Sequence, residues 1–135
     1  TGSVKAGAFS VIPTAAARVP KMVGTNAPAM AVALAPAPTD VVLVTVRDDV
    51  RRVYGVHVVA LPSLQEDFIA LASPPLAAGI IPELGKGYVA QEHAEGRITF
   101  IEVPADLTSG TAATPTARTL TGFELAAKVT YPSGN

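Results

Sequence analysis

The densest group of residue types that could bind a metal is Glu92-His93-Ala94-Glu95. A metal site needs three or four ligands that converge with fixed geometry. At the tip of a hairpin, His93 and Glu95 would point to the same side and supply two of them. The only other histidine, His57, lies within an apolar run, where we expect a hydrogen-bonded structural imidazole. We therefore predict neither a metal site nor a cofactor.

A second charged group is the hexapeptide Arg47-Asp48-Asp49-Val50-Arg51-Arg52. Paired carboxylates such as Asp48 and Asp49 act as acid and base only where their environments separate their pKa values. On a charged turn between two apolar runs, both carboxylates should stay ionised. We favour a solvated loop or a subunit contact over catalysis, because the planar guanidinium of arginine binds a carboxylate at two points.

The chain offers few candidate nucleophiles. None of its serines lies in the pattern Gly-x-Ser-x-Gly that places a nucleophile on a tight turn. Thr1 would be a nucleophile in an N-terminal hydrolase, and Gly85-Lys86-Gly87 is too short for a phosphate-binding loop. We predict that the protein is not an enzyme. A small hydrolase that uses Thr1 or the His93 cluster is the less favoured alternative.

The composition is unusually apolar. Charged residues make up 16% of the chain, against about 25% in an average soluble domain, and the mean hydropathy is +0.38. A net charge of −1 gives no field to attract nucleic acid, and the longest apolar stretch, 27–38, is too short and too rich in proline to span a bilayer. We expect an apolar surface that a partner subunit covers, with no nucleic-acid or membrane partner.

Short apolar runs separated by proline and glycine predict a mainly β chain. We expect one domain over residues 1–135, a sandwich or distorted barrel of mostly antiparallel strands. The runs at 40–46 and 53–61 are β-branched enough to be buried on both faces and to pair as a hairpin, with a one-turn helix at 48–54 as the alternative connection. Strands are predicted at 4–12, 40–46, 53–61, 86–92, 97–103 and 123–131.

Two segments depart from this β pattern. Ser63 and Glu66 have the spacing of a helix capping box, which predicts one short helix over 64–72. Residues 14–39 are rich in proline and alanine and predict an extended arm or loop, in which 29–34 could form an edge strand. Residues 76–81 are left unassigned, and 105–119 are expected to be a loop.

These features favour a non-enzymatic structural subunit of a large homomeric assembly. The most concrete form is a virion component, such as a capsid-decorating (cement) or tail protein, that binds copies of itself and another structural protein. It would be located in the virion or another extracellular assembly, and inside the cell before assembly. The alternative is a secreted or surface β-sandwich module that binds a protein or a glycan. The predicted contact surface comprises Pro28, Met30, Pro36, Arg47, Asp48, Asp49, Arg51 and Arg52.

Overall fold

The computed structural model describes residues 5–12, 19–35, 40–61, 63–103 and 115–122. These residues form ten strands in three antiparallel sheets and one short 3-10 helix, which confirms the mainly β prediction. The strands are β1 Gly7–Val11, β2 Lys21–Thr25, β3 Ala29–Ala35, β4 Val41–Asp48, β5 Val53–Ala60, β6 Glu66–Ala70, β7 Pro75–Ile81, β8 Lys86–Gln91, β9 Arg97–Glu102 and β10 Thr116–Thr121; the 3-10 helix is Pro82–Leu84.

A central sheet with the order β3-β4-β5-β6 is the middle layer of the described fold. Its β4–β5 hairpin pairs Val41 with Ala60 and Asp48 with Val53, as the sequence predicted. Six consecutive residues of β4 and six of β5 are buried, so both faces of the hairpin are covered. A β-branched run with no polar alternation requires such double burial.

The sheet β10-β9-β8-β7 covers the inner face of the central sheet. Leu43 of β4 packs against β8 so closely that a Cβ on Gly87 would lie 2.6 Å from the Leu43 Cδ1. This approach therefore needs a residue without a side chain at position 87. The buried cluster between the two sheets contains Val41, Leu43, Val56, Val58, Ala60, Leu71, Val89 and Ile101.

The β1–β2 hairpin lies against the outer face of the central sheet. Its Phe9 packs on a second buried cluster formed by Val42, Val44 and Val59. Alternate residues of β1 are exposed, as expected for a strand with one face against a core. In the described part of the chain none of the three sheets closes on itself, so a closed barrel is not formed there.

The predicted helix at 64–72 is wrong, because this segment contains β6. Glu66 pairs with Val59 and Ala70 with Gly55 along β5. The Ser63 Oγ accepts a hydrogen bond from the backbone N–H of Gln65 at 3.3 Å, so the capping-box serine closes a turn. Strand pairing with the preceding strand β5 therefore overrides the local helix signal.

The predicted arm at 14–39 is wrong for most of its described residues, which form β2 and β3. Proline is compatible with these strands because Pro20 and Pro28 flank them without interrupting them. The expected edge strand at 29–34 is confirmed as β3, at one edge of the central sheet. Residues 13–18 and 36–39 lie outside the described residues.

Of the remaining predicted segments, some are confirmed, one is wrong in part and one lies outside the described residues. The strand predicted at 4–12 is confirmed over its described part as β1, and the hairpin predicted from 86–92 and 97–103 is confirmed as β8 and β9. The unassigned segment 76–81 lies in β7. The loop predicted at 105–119 is wrong at its end, because β10 pairs there with β9. The strand predicted at 123–131 lies outside the described residues.

Gly55 provides a direct test of packing on the outer face, because a Cβ there would overlap the ring of Phe68. We expect Gly55→Ala to lower the free energy of unfolding by about 1–3 kcal/mol, the usual cost of overpacking. Urea unfolding measures the change. In a Phe68→Ala background the same substitution should lose most of its cost, since the overlapping ring is gone.

Gly24→Ala is the matched control. A Cβ at Gly24 would meet methylene carbons of Lys5, the nearest at 3.3 Å, and that exposed side chain can move. We expect a change within about 0.5 kcal/mol. Equal unfolding midpoints for Gly55→Ala and the parent protein would contradict the packing described for Phe68.

Candidate functional site

The connection between β4 and β5 is a turn held together by Asp48. Its Oδ1 accepts hydrogen bonds from the backbone N–H groups of Val50 and Arg51, both at 3.0 Å, and its Oδ2 lies 2.6 Å from the Arg51 Nε. The backbone and then the guanidinium of Arg51 hold the pKa of Asp48 below its usual range. Asp48 thus stays ionised as expected, and the alternative helix at 48–54 does not form.

Arg47 connects the two charged segments discussed above, residues 47–52 and 92–95. Its Nε lies 3.0 Å from both carboxylate oxygens of Asp49, and its Nη1 lies 3.2 Å from the Glu92 Oε2. The hydrogen bond with Asp49 is the main reason that the pKa of Arg47 is raised above its ordinary value. The β4–β5 turn and the connection after β8 therefore meet at one end of the molecule.

The loop between β2 and β3 joins this charged end. The Pro28 carbonyl accepts a hydrogen bond from the backbone N–H of Arg47 at 3.0 Å, and the Arg51 Nη2 donates to the Asn26 carbonyl at 2.9 Å. The structure thus brings Pro28 beside the charged turn that contains Arg52. Met30 follows on β3, and Pro36 lies outside the described residues.

The edge strand β3 exposes its larger side chains and buries its alanines. Met30, Val32 and Leu34 are 61%, 62% and 62% exposed, while Ala31, Ala33 and Ala35 are more buried. The prediction included Met30 and missed Val32 and Leu34. The sequence signal for these two residues was the alternation of alanine with a larger apolar residue in AMAVALA. This alternation is easily missed, because all seven residues are hydrophobic.

His57 is a fully buried imidazole on β5, bonded at both nitrogens. Its Nδ1 lies 2.7 Å from the Glu66 Oε1, and its Nε2 accepts the backbone N–H of Asn26 at 3.3 Å. Because Nε2 is the acceptor, the hydrogen-bond network assigns the proton of the neutral ring to Nδ1, which donates to Glu66. The hydrogen bonds that we predicted for His57 are therefore present.

The bonds of His57 hold three parts of the chain together. Glu66 belongs to β6, Asn26 to the loop after β2, and Lys5 lies 3.2 Å from the Asn26 Oδ1 and 3.7 Å from the Glu66 Oε1. Burial lowers the pKa of His57 below its ordinary value and outweighs the opposing effect of Glu66. The ring is therefore neutral near pH 7 and suited to positioning these segments.

The other candidate chemical groups have local partners. The His93 Nδ1 accepts the backbone N–H of Glu95 at 3.1 Å within the β8–β9 connection. Among the described residues, no three histidine, aspartate or glutamate side chains are grouped as metal ligands, and no helix there is long and apolar enough to cross a membrane. Thr1 lies outside the described part.

A groove of about 390 Å³ lies on the β8–β10 side of the molecule. The Lys86 Nζ and the Glu102 Oε1 within it are 3.5 Å apart, so their charges largely neutralise each other. Phe100 supplies its aromatic ring. The groove is lined by Lys86, Phe100, Glu102, Thr116, Ala117, Arg118 and Leu120.

The buried state of His57 predicts a pH-dependent stability. The unfolded chain binds a proton near the ordinary pKa of 6.5, whereas burial lowers the pKa of His57 in the folded chain, which binds the proton less readily at the same pH. The unfolded state therefore binds more protons, and the free energy of unfolding should fall as the pH is lowered through 6.5, by at most about 1.4 kcal/mol per pH unit. Urea unfolding at a series of pH values between 7.5 and 5.5 measures this slope.

Two variants test whether the pH dependence of the free energy of unfolding comes from His57. His57→Gln keeps a donor and an acceptor but does not titrate, so its stability should depend less on pH in this range. His93→Gln, at the half-buried histidine of the β8–β9 connection, is the matched control for the loss of a histidine. Equal slopes for His57→Gln and the parent protein would contradict a neutral buried His57.

Comparison with known proteins identifies no relative, because no family model, no curated protein and no solved structure matches the chain significantly.

Proposed function

We propose that the protein is a non-enzymatic structural subunit that assembles with copies of itself, built on a β-sandwich of its two four-stranded sheets. The observation that carries this proposal is the exposure of Met30, Val32 and Leu34 along an edge strand. A strand edge offers unpaired backbone groups to another chain. Here the large apolar side chains of β3 also face solvent. A partner strand would therefore cover both the backbone edge and these side chains.

The sequence of β3 supports a contact role because the strand contains neither a charged residue nor a proline. Natural monomers block exposed edges with lysine, proline, inward-pointing charges or bulges. AMAVALA contains none of the first three, and its register with β4 shifts between Ala29 and Ala31. Burial of apolar surface contributes about 25 cal/mol per Å². Covering these side chains therefore favours association.

The charged end of the molecule would form the rim of this contact. Its groups already pair within the chain, as in Arg47 with Asp49 and Arg51 with Asp48. Exposed ion pairs of this kind contribute little affinity but favour one orientation of the partners. This supports a role for the turn in setting register.

The most concrete form of the proposal is a virion component, a capsid-decorating or tail protein that contacts its own copies and another structural protein, with no nucleic-acid or membrane partner. Support comes from the low charge content and from His57 and Asp48, whose bonds are structural. The corresponding location is the virion or another extracellular assembly. The hydrolase alternative has less support, since His93 bonds to a turn backbone.

The first alternative is a secreted or surface β-sandwich module that binds a protein or a glycan. Carbohydrate sites rely on aromatic faces, and the groove on β8–β10 includes Phe100 with no other aromatic residue among the described residues that line it. The observation of an apolar edge strand favours assembly over this alternative.

Light scattering coupled to size exclusion, over a range of concentrations, tests the proposal. We expect the full chain to form a species larger than a monomer. Val32→Lys should weaken assembly by about tenfold or more, because lysine on an edge strand opposes pairing and resists burial. Circular dichroism should show that the variant keeps its strand content.

Leu84→Lys is the matched control, because Leu84 is 64% exposed and lies in the 3-10 helix, outside the proposed contact. It should assemble like the parent protein. A full chain that stays monomeric at every concentration would contradict self-assembly.

A further inference from the structure

The β1–β2 hairpin is attached to the molecule differently from the other described strands. It forms a sheet of its own, and no strand pairing among the described residues joins it to either four-stranded sheet. Its Phe9 packs on the cluster of Val42, Val44 and Val59, called here the outer cluster. An isolated two-stranded hairpin is only marginally stable in water, so this hairpin depends on its attachment to the central sheet.

Asn26, the residue that follows β2, is the centre of this attachment. Its backbone N–H donates to the His57 Nε2 at 3.3 Å, and its carbonyl accepts the Arg51 Nη2 at 2.9 Å. Its Oδ1 accepts the Lys5 Nζ at 3.2 Å, and the same Nζ lies 3.7 Å from the Glu66 Oε1. The start of β1 and the end of β2 are therefore held at one place, beside His57.

The bond from Asn26 to His57 requires a neutral ring. A backbone N–H donates and cannot accept, so it needs the lone pair of Nε2, and in a protonated imidazole both nitrogens are donors. Protonation would therefore set two N–H groups against each other. Because His57 is fully buried, water cannot separate them. The bond is then lost and the N–H of Asn26 is left without its acceptor, which is costly inside a protein.

Glu66 does not relieve this conflict. Its Oε1 lies 2.7 Å from Nδ1, the other ring nitrogen, so a charged ring keeps this bond while losing the one to Asn26. A charged His57 would also compete with Lys5 for the same carboxylate oxygen. Protonation thus weakens both links of the hairpin, the one through Asn26 and the one through Lys5.

The remaining charged groups around the ring do not stabilise a positive charge there. Arg51, which bonds the loop after β2, is itself paired with Asp48. Asp67 of β6 pairs with Val58, so it lies on the face of the sheet opposite to the ring. The hairpin contains one charged residue, Lys21, at the end of β2 away from this site, and β4 places an apolar residue opposite the ring.

The two four-stranded sheets are held together independently of His57. The residues between them, called here the inner cluster, are all apolar and lie on the other face of the central sheet. Loss of the bond to Asn26 changes none of their contacts. The inner cluster consists of Val41, Leu43, Val56, Val58, Ala60, Leu71, Val89 and Ile101.

We propose that the β1–β2 hairpin is an acid-released cover: protonation of His57 detaches the hairpin from the central sheet while the two four-stranded sheets stay folded. Detachment exposes the outer cluster. Val42 and Val44 pair with Leu34 and Val32 of β3, and paired residues lie on the same face of a sheet. The uncovered valines therefore extend an apolar surface that is already exposed. This inference does not depend on self-assembly.

The pH range of the release follows from the two states of the ring. In the released state His57 is open to water and has its ordinary pKa of 6.5, whereas burial lowers the pKa of His57 in the attached state. The released state therefore binds more protons. Its population rises as the pH falls through 6.5, by up to about tenfold between pH 7.5 and pH 5.5 for one proton.

Thiol labelling distinguishes this release from unfolding of the whole chain, because the natural chain contains no cysteine. Val44→Cys places a thiol in the outer cluster, opposite His57 in the β4–β5 pairing. Val58→Cys is the matched control, since Val58 is equally buried but lies in the inner cluster. Dithiodipyridine is the probe because it reacts with thiols in acid as well as at neutral pH. The rate for each variant unfolded in urea at the same pH is the reference.

Relative to its reference, we expect Val44→Cys to react about three- to tenfold faster at pH 5.5 than at pH 7.5. At pH 5.5 it should react about tenfold or more faster than Val58→Cys, because local opening is more frequent than global unfolding. His57→Gln, added to Val44→Cys, should abolish the rise in acid, since glutamine does not titrate. Circular dichroism checks that each variant keeps its strand content.

Three results would overturn the inference. Equal relative rates for Val44→Cys and Val58→Cys at pH 5.5 would mean that the whole chain unfolds. A Val44→Cys rate that does not rise in acid would mean that the hairpin stays attached. A rise that persists in His57→Gln would mean that another group is responsible. If His57→Gln loses its strand content, His57→Leu replaces it, and its labelling should likewise be independent of pH.

Discussion

Double-sided burial of the β4–β5 hairpin is the constraint on which the rest of the structure depends. Valine makes up half of this hairpin, and six consecutive residues of each strand are buried, so the hairpin needs a cover on each side. The β7–β10 sheet supplies one cover, and the β1–β2 hairpin supplies the other. The three layers of the described fold follow from this requirement.

The buried His57 follows from the same constraint. A polar ring within a hairpin covered on both faces has no access to water, so each nitrogen needs a protein partner. Glu66 and Asn26 supply the partners from two other segments, and Lys5 contacts both of them. A residue type that suggests catalysis in a sequence therefore acts here as a connection between strands, whose strength depends on the ring remaining neutral.

Sequence patterns predicted those strands whose signal lies within a few residues. They failed where residues outside the segment determine its structure or exposure. The runs that became β4, β5, β8 and β9 carry their β-branched pattern within a few residues. The capping spacing of Ser63 and Glu66 is equally local, but the ladder of β6 on β5 overrides it. The contact of Arg47 with Glu92 joins β4 to the connection after β8, so no local pattern signals it. Val32 and Leu34 were missed because their exposure depends on which face of β3 meets the neighbouring sheet.

The alanines on the inner side of β3 have a consequence for the shape of the subunit. Facing sheets usually pack about 10 Å apart, but small side chains allow β3 and β7 to approach until Cα atoms lie within 8 Å. Ala33 packs against the buried cluster between the two sheets. A larger side chain at this position would therefore have to push the two strands apart.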